Sequence, residues 1–419
     1  MMRLQLFAII WGLLLLQGKA QQAITLDECL LQSHTNYPLQ SEYRNVAEQS
    51  ALRLRMLNTR YYPQMDLAGQ FSWQNEVTHV DSPSPSLQMP MAPKDQYKAY
   101  VDVKQLIYDG GITHAAKAVE RDQQRVQEKG VDVELYGIRQ QVINAYYLVL
   151  TIDEQLKQLS YRMEVLDKRL VEINSGVENG AVLQSEADAF RVEILKLQQD
   201  QFALEEGRQA AFDVLKELTG LHLKDGEALV LPVVDKAGGE LERPELSLFD
   251  AQRQQLVSAQ QLTGRQRMPM LAGFGQVGYG NPGFNMLKDE FDTFYMVGLR
   301  LSWRLWDWRE TKQKKAVYRL QSESINTREA TFEKNIRLAA SEVDSRIRRL
   351  ERIMASDDEI IALRQNITQS AQSRLNNGTY TAADYITDLN AESVARLARE
   401  LHRVELSKAR RERMNLMGH

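Results

Sequence analysis

The residue types that usually carry chemistry are present but dispersed. Six histidines, His34, His79, His114, His222, His402 and His419, stand singly, and none has a partner at metal-ligand spacing. No nucleophile is placed beside a base, no glycine-rich loop suits a phosphate, and no two carboxylates converge as acid and base. The chain therefore reads as a non-enzyme without metal or cofactor. Two basic runs, Arg348-Arg349 and Arg410-Arg411-x-Arg413, could attract an anion, but on helices such runs read as solvated faces. The single cysteine, Cys29, cannot close an internal disulfide. Leu26-Asp27-Glu28-Cys29 puts charge where a lipid-attachment site wants small residues, so Thr25 to Glu28 reads instead as a helix capping box with Cys29 in the first turn. A net charge of −4 with mixed signs gives no sign of nucleic-acid binding.

With no reactive centre, function must rest on the elements themselves, and these come twice. Pro38 and Pro63 recur 206 residues later as Pro244 and Pro269. Asp109, Asn179-Gly180 and Leu218-x-Gly220 recur 198 residues later as Asp307, Asn377-Gly378 and Leu416-x-Gly418. The shift changes once, between Pro63 and Asp109, where the Pro-rich run Ser82 to Pro93 is the surplus. A duplication this regular fixes the architecture before any single residue is interpreted. Residues 21–220 form the first repeat, 221–243 a linker, and 244–419 the second repeat. The linker, rich in glycine at Gly238-Gly239, reads as an equatorial band. Ahead of them Arg3, the apolar stretch Leu4 to Leu16 and Gly18-Lys19-Ala20 have the layout of a secretory signal over residues 1–20. Beyond Leu16 no apolar run approaches the ~20 residues of a spanning helix.

Each repeat reads as a helix, two short alternating segments, a very long helix, a tight turn and another helix. From Ile138 the apolar positions Val142, Ala145, Val149, Ile152, Leu156, Leu159, Met163, Leu166, Leu170 and Ile173 keep a heptad seam, and a second seam begins at Leu183 and Ala187. The two predict an antiparallel hairpin with its tip near 175–183. In the second repeat the seam through Ile336, Ala340, Val343, Ile347, Leu350 and Met354 loses phase at Asp357-Asp358-Glu359 and is expected to resume at Ile360, Leu363 and Ile367, with a tip near 375–382. Asn179-Gly180 and Asn377-Gly378 supply the positive-φ turn, and Thr381 to Asp384 a helix cap.

After Pro63 and Pro269 the period switches to two. Strands are expected at about 64–75, 97–108, 270–280 and 294–306, each with one apolar and one polar or charged face. On the apolar face lie Leu67, Phe71, Trp73, Val101, Val103, Val297, Leu299, Leu301 and Trp303, and aromatic residues gather at the segment ends as a membrane girdle would require. This fits a transmembrane β-barrel better than a soluble sandwich. Four strands cannot close a barrel, and in lipid every backbone group must be paired, so the barrel must be shared between chains. Three copies would give twelve strands.

Ile24-Thr25-Leu26-Asp27-Glu28 with Asn36-Tyr37-Pro38, Arg60-Tyr61-Tyr62-Pro63, Leu299-Arg300-Leu301-Ser302-Trp303-Arg304-Leu305-Trp306-Asp307 and Asn377-Gly378-Thr379-Tyr380-Thr381-Ala382-Ala383-Asp384 together make the chain resemble the TolC-like outer-membrane efflux proteins. The resemblance implies a mostly α fold with a four-stranded β contribution: long coiled-coil helices form a tunnel below a trimer-shared twelve-stranded barrel. It implies a homotrimer in the outer membrane of a Gram-negative bacterium, most of its mass in the periplasm. It also implies contact of the hairpin turns, Asn179, Gly180, Asn377, Gly378 and Thr381, with a periplasmic adaptor and through it an inner-membrane pump. The family often has an Asp six residues after the tip glycine, near where the closed tunnel narrows. Asp384 holds that position, Glu186 is its counterpart in the first repeat, and the second acid some members carry is replaced by Thr387 with Asp388 beside it. A further departure is Trp306-Asp307-Trp308-Arg309, where the first repeat has Tyr108-Asp109-Gly110-Gly111. The expected function is a passive exit duct of a tripartite efflux or type I secretion system. The alternative is a periplasmic adaptor, a coiled-coil binding module, against which the duplicated strand pairs weigh.

Overall fold

The computed structural model describes residues 24–78, 91–221, 227–234 and 239–419. The expected leader, most of the Pro-rich run and His222 lie outside the described residues. Seven α-helices and four strands are present among those described: α1 (Leu26–Asn36), α2 (Gln40–Asn58), β1 (Gln64–Trp73), β2 (Asp95–Tyr108), α3 (Ile112–Glu178), α4 (Gln184–Thr219), α5 (Pro244–Arg265), β3 (Met270–Asn281), β4 (Asp292–Ser302), α6 (Glu310–Asn376) and α7 (Ala382–Met417). The chain divides into two compact units that do not coincide with the repeats, since each draws on both. The first is Met1–Ser41, Val131–Pro244 and Thr331–His419; the second is Glu42–Gly130 and Glu245–Ala330.

In the second unit the strands form one antiparallel sheet in the order β1-β2-β3-β4. Proline sets the start: Tyr62, ahead of Pro63, is extended at φ −85°, ψ 150°, because the proline ring excludes the helical conformation from its predecessor. The two hairpins pair identically under the duplication. Met65 faces Val103 and Phe71 faces Tyr97, while Leu271 faces Leu301 and Val277 faces Tyr295. The fourth strand ends at Ser302, short of the expected 306, because Trp303 to Trp306 have no strand beside them within the chain.

Strands pass into the long helices through one motif used twice. The Asp109 carboxylate accepts hydrogen bonds from the Tyr61 hydroxyl (2.8 Å) and the Gly111 N–H (2.9 Å) on one oxygen and from the Thr113 N–H (2.6 Å) on the other. Asp307 accepts from the N–H groups of Arg309 and Thr311, and Arg267, at the place of Tyr61, lies 3.7 Å away. Each thereby satisfies donors at a helix start. The turn needs two successive positive-φ residues. Gly110 and Gly111 hold φ +70° and +84°, but their counterparts Trp308 and Arg309 hold 49° and 67° with full side chains, a conformation that L residues seldom adopt.

Helices α3 and α6, each 67 residues and on the order of 100 Å long, are divided between the two units, and their parts from Val131 and Thr331 onward form helical hairpins with α4 and α7 in the first. The α3 seam is realised: Val142, Val149 and Leu166 are fully enclosed, and Leu156, Leu159, Met163, Leu170 and Ile173 pack beside them. Cys29 is buried in that core, its thiol pushed up to about 12 by burial and then by the charge of Glu28. Thr25 caps α1 by accepting from the Glu28 N–H. On α4, Arg208 forms an ion pair with Asp153 of α3 at 2.5 Å. Residues 227–234 of the linker lie against these helices, with Ile24 bridged to Leu229 and the Tyr146 hydroxyl within hydrogen-bond distance of the Ile24 and Val230 carbonyls.

Two expectations are corrected here. Arg410, Arg411 and Arg413 are not a solvated face: they pair with Glu351 (2.9 Å), Asp27 (2.7 Å) and Asp344 (3.0 Å), because the α7 face that carries them packs against neighbouring acids. The α6 seam does not resume at Ile360, Leu363 and Ile367, which stay exposed. The buried stripe instead keeps its earlier phase: from Leu350 it runs on through Asp357, which turns inward to His402 (2.9 Å), to Ile361, Thr368 and Ala371 at the same heptad spacing.

At Asp109, burial alone would raise the carboxyl pKa, but hydrogen bonds from Thr113, Tyr61 and Gly111 outweigh it and hold the group below the usual carboxylate range. Its contribution to stability is therefore full above the unfolded pKa of about 3.9 and is lost as pH falls through the lower folded value. Asp109→Asn should cost about 1.5–3 kcal/mol at pH 7, the scale of hydrogen bonds to a charged acceptor. Thermal midpoints of the two proteins should converge as pH falls through that lower value; a gap that stays constant into acid would contradict the ionised cap.

Candidate functional site

Because directly opposed residues in an antiparallel sheet share a face, the pairing sorts every side chain. One face carries Met65, Leu67, Phe71 and Trp73 on β1, Tyr97, Val101 and Val103 on β2, Val277 and Tyr279 on β3, and Tyr295, Val297, Leu299 and Leu301 on β4. All the residues assigned from sequence to an apolar strand face lie in this row, except that Trp303 follows the end of β4 and donates its indole N–H to the Arg267 carbonyl. The row is open: Leu67 is 82% exposed and Val297 78%. On the opposite face Lys104 bridges Asp102 at 2.5 Å and Asp66 at 3.9 Å, near Gln276 and Arg300. A sheet with an uninterrupted exposed apolar face and a charged reverse face is wet on the wrong side for a globular core and correct for a wall between hydrocarbon and water. No helix among the described residues is long and apolar enough to cross a membrane.

Duplication also governs the hairpin tips in the first unit. At both turns glycine is left-handed, Gly180 and Gly378 each at φ +70°, and the same hydrogen bonds recur, Ala181 N–H to the Gly176 carbonyl and Thr379 N–H to the Arg374 carbonyl. The following helix starts differ. Thr381 and Asp384 form a reciprocal capping box on α7, whereas α4 begins at Leu183, which has no side-chain acceptor. Glu186, the counterpart of Asp384, is thereby released, and its carboxylate accepts the Ala382 N–H of α7 at 2.5 Å. One tip's acid caps the other tip's helix.

The remaining tip candidates separate by role. Asp388 accepts from the Tyr380 hydroxyl at 3.0 Å, a bond that raises the tyrosine pKa ahead of any effect of burial. Thr387 returns its hydroxyl to the Ala383 carbonyl and stays exposed on the Asp384 side of α7, while Tyr385, Ile386 and Leu389 form the buried side with Phe190. A cavity of about 440 Å³ lies between the tips, walled by Ile173, Val182, Leu183, Leu375 and the two acids Glu186 and Asp384. Asn179 and Asn377 occupy the exposed turns. The Glu186 link, 196 residues long in sequence, carries no local signal; the mismatch of Leu183 with Thr381 under the repeat shift was the only trace of it.

No protein-family model matches the sequence, and no curated protein does. Solved structures do match. The CmeC outer membrane channel of Campylobacter jejuni is 13% identical with a TM-score of 0.65, over 96% of this chain and 87% of that one. The outer membrane protein VceC of Vibrio cholerae is 12% identical with a TM-score of 0.64, over 94% of each chain. The open state of the Neisseria gonorrhoeae MtrE outer membrane channel is 12% identical with a TM-score of 0.65, over 94% and 88%. The fold is TolC-like.

Glu186→Ala should expose the Ala382 amide, raising its hydrogen exchange roughly ten- to a hundredfold for a loss of about 1.5–3 kcal/mol. Thr381→Ala should instead speed exchange at Asp384. Unchanged exchange at Ala382 would remove Glu186 from the α7 cap.

Proposed function

We propose that the protein is a passive exit duct of the outer membrane, part of a tripartite efflux or type I secretion system. The observation that carries this reading is the sheet: four strands of 10 to 14 residues with a continuous exposed apolar face, a charged reverse face and two open edges. In hydrocarbon such edges must be paired, and three copies supply a closed barrel of twelve strands with the charges of Asp66, Asp102, Lys104 and Arg300 turned to a watery lumen. The exposed heptad stripe Ile353, Ile360, Leu363 and Ile367 on α6 gives each helical hairpin an apolar face for a neighbouring copy, which the chain itself leaves uncovered. The likeness to outer-membrane channels supports the same reading. Asp384 and Thr387 then form the narrow end of the path, and the turns at Asn179-Gly180 and Asn377-Gly378 with Thr381 meet a periplasmic adaptor linked to an inner-membrane pump. No step of this function requires a catalytic group.

The test is the native mass and membrane location of the detergent-extracted protein. A trimer from the outer membrane is expected; a soluble or inner-membrane species of other stoichiometry would remove the duct. Within the duct, Leu301→Arg puts a charge toward lipid at a cost of about 2–4 kcal/mol near the midplane, so outer-membrane trimer should fall sharply. Gln276→Arg, on the charged face, should assemble. Asp384→Ala should increase entry of bulky antibiotics into intact cells, and unchanged permeability would reduce Asp384 to a helix cap.

A further inference from the structure

We infer that β4 of one copy pairs with β1 of the next in a single register dictated by the internal duplication, with Arg304 set opposite Asp66 of the partner subunit. The inference rests on the shared-barrel reading above. Its source is the β2–β3 interface, which joins the end of the first strand pair to the start of the second within one chain. The seam between copies joins β4 to β1, the same two ends one repeat further on. Both intrachain hairpins obey the repeat shifts of 206 and 198 at every pair named above, so the shifts can be applied to β2–β3 as well. Val103 facing Gly275 becomes Leu301 facing the partner subunit's Gly69. Leu106 facing Ala272 becomes Arg304 facing the partner subunit's Asp66, and Tyr108 facing Leu271 becomes Trp306 facing the partner subunit's Met65. The bulge between Leu106 and Tyr108 moves to Leu305.

Strand lengths carry this independently. β2 extends beyond its pairing with β1, which stops at Lys104, because β3 continues to hold residues 105–108. The equivalent residues, Trp303 to Trp306, lie outside β4. At the other end Asn281 is held by Tyr97 alone, and its equivalent Asn75 lies outside β1. Each edge strand thus stops where the pairing within its own chain stops. Seam pairing lengthens β4 to Trp306 and β1 to Asn75. Side-chain chemistry agrees: Arg304 and Asp66 have opposite charge, both side chains are about two-thirds exposed at 65% and 68%, Asp66 is on the charged face, and the strand alternation carried past Ser302 assigns Arg304 to it.

One position must depart from the copied geometry. A Cβ on Gly110 would stand 2.4 Å from Met268 Cβ, so that crossing is closed to side chains. The seam equivalents are Trp308 and the partner subunit's Tyr62, exposed at 83% and 61% in the single chain. The strand exit therefore opens at the seam, and the two aromatic rings fill the gap that glycine closes elsewhere.

Cysteine cross-linking in a Cys29→Ala background tests the register. Leu301→Cys with Gly69→Cys is expected to give covalent dimers and trimers on oxidation; a Cβ at Gly69 meets open space, so the substitution is tolerated. Leu301→Cys with Leu67→Cys, and Leu301→Cys with Phe71→Cys, sample the same face two residues out of register and are expected to link far less. If either displaced pair links better, or none links in a protein of trimeric native mass, the register is overturned. A monomeric native mass of the unoxidised variants would instead overturn the shared barrel. Arg304→Asp should reduce trimer that survives detergent, and adding Asp66→Arg should restore it; no rescue would break the proposed pair.

Discussion

An unpaired backbone N–H or C=O in hydrocarbon costs several kcal/mol, and the sheet ends on two rows of them. Natural edge strands in water are usually blunted by charge, proline or a covering element. Here the apolar row runs to both edges, through Met65 and Leu67 on one side and Val297, Leu299 and Leu301 on the other. Such edges are tolerable only if each finds a partner strand. In the proposed shared barrel the internal duplication supplies a matching one, since the pairing rule that joins the two halves of the chain can be reused between chains.

The helical part meets a different constraint. Helices on the order of 100 Å long cannot be held by a central core, so packing is distributed along seams and reinforced by ion pairs. Arg208 with Asp153, Arg410 with Glu351 and Arg413 with Asp344 are placed where apolar contact gives out. Apolar residues that find no cover inside the chain, such as Ile360 and Leu363, remain exposed on its surface.

The repeats differ at the strand exits and at the hairpin tips. At the strand exits, two glycines in one repeat are a tryptophan and an arginine in the other, although the backbone keeps the same left-handed turn. At the tips, a self-contained cap on α7 faces a helix start that lacks one, and the freed Glu186 ties the two hairpins together. Duplication set the scaffold, and divergence at a few positions set how its two halves are joined.

Sequence alone determined the duplication, the period of each element, the heptad seam of α3, the glycine turns and the two faces of the strands. These are local, because side-chain periodicity and positive φ depend on near neighbours in the chain. Tertiary structure decided what spacing could not encode. It turned Asp357 inward to His402 and so kept the α6 stripe in its earlier phase, engaged three arginines of α7 in ion pairs, sent Glu186 to a helix 196 residues away, and ended β4 at Ser302. Each of those outcomes depends on which group happens to stand opposite, and that is fixed only when distant segments are brought together.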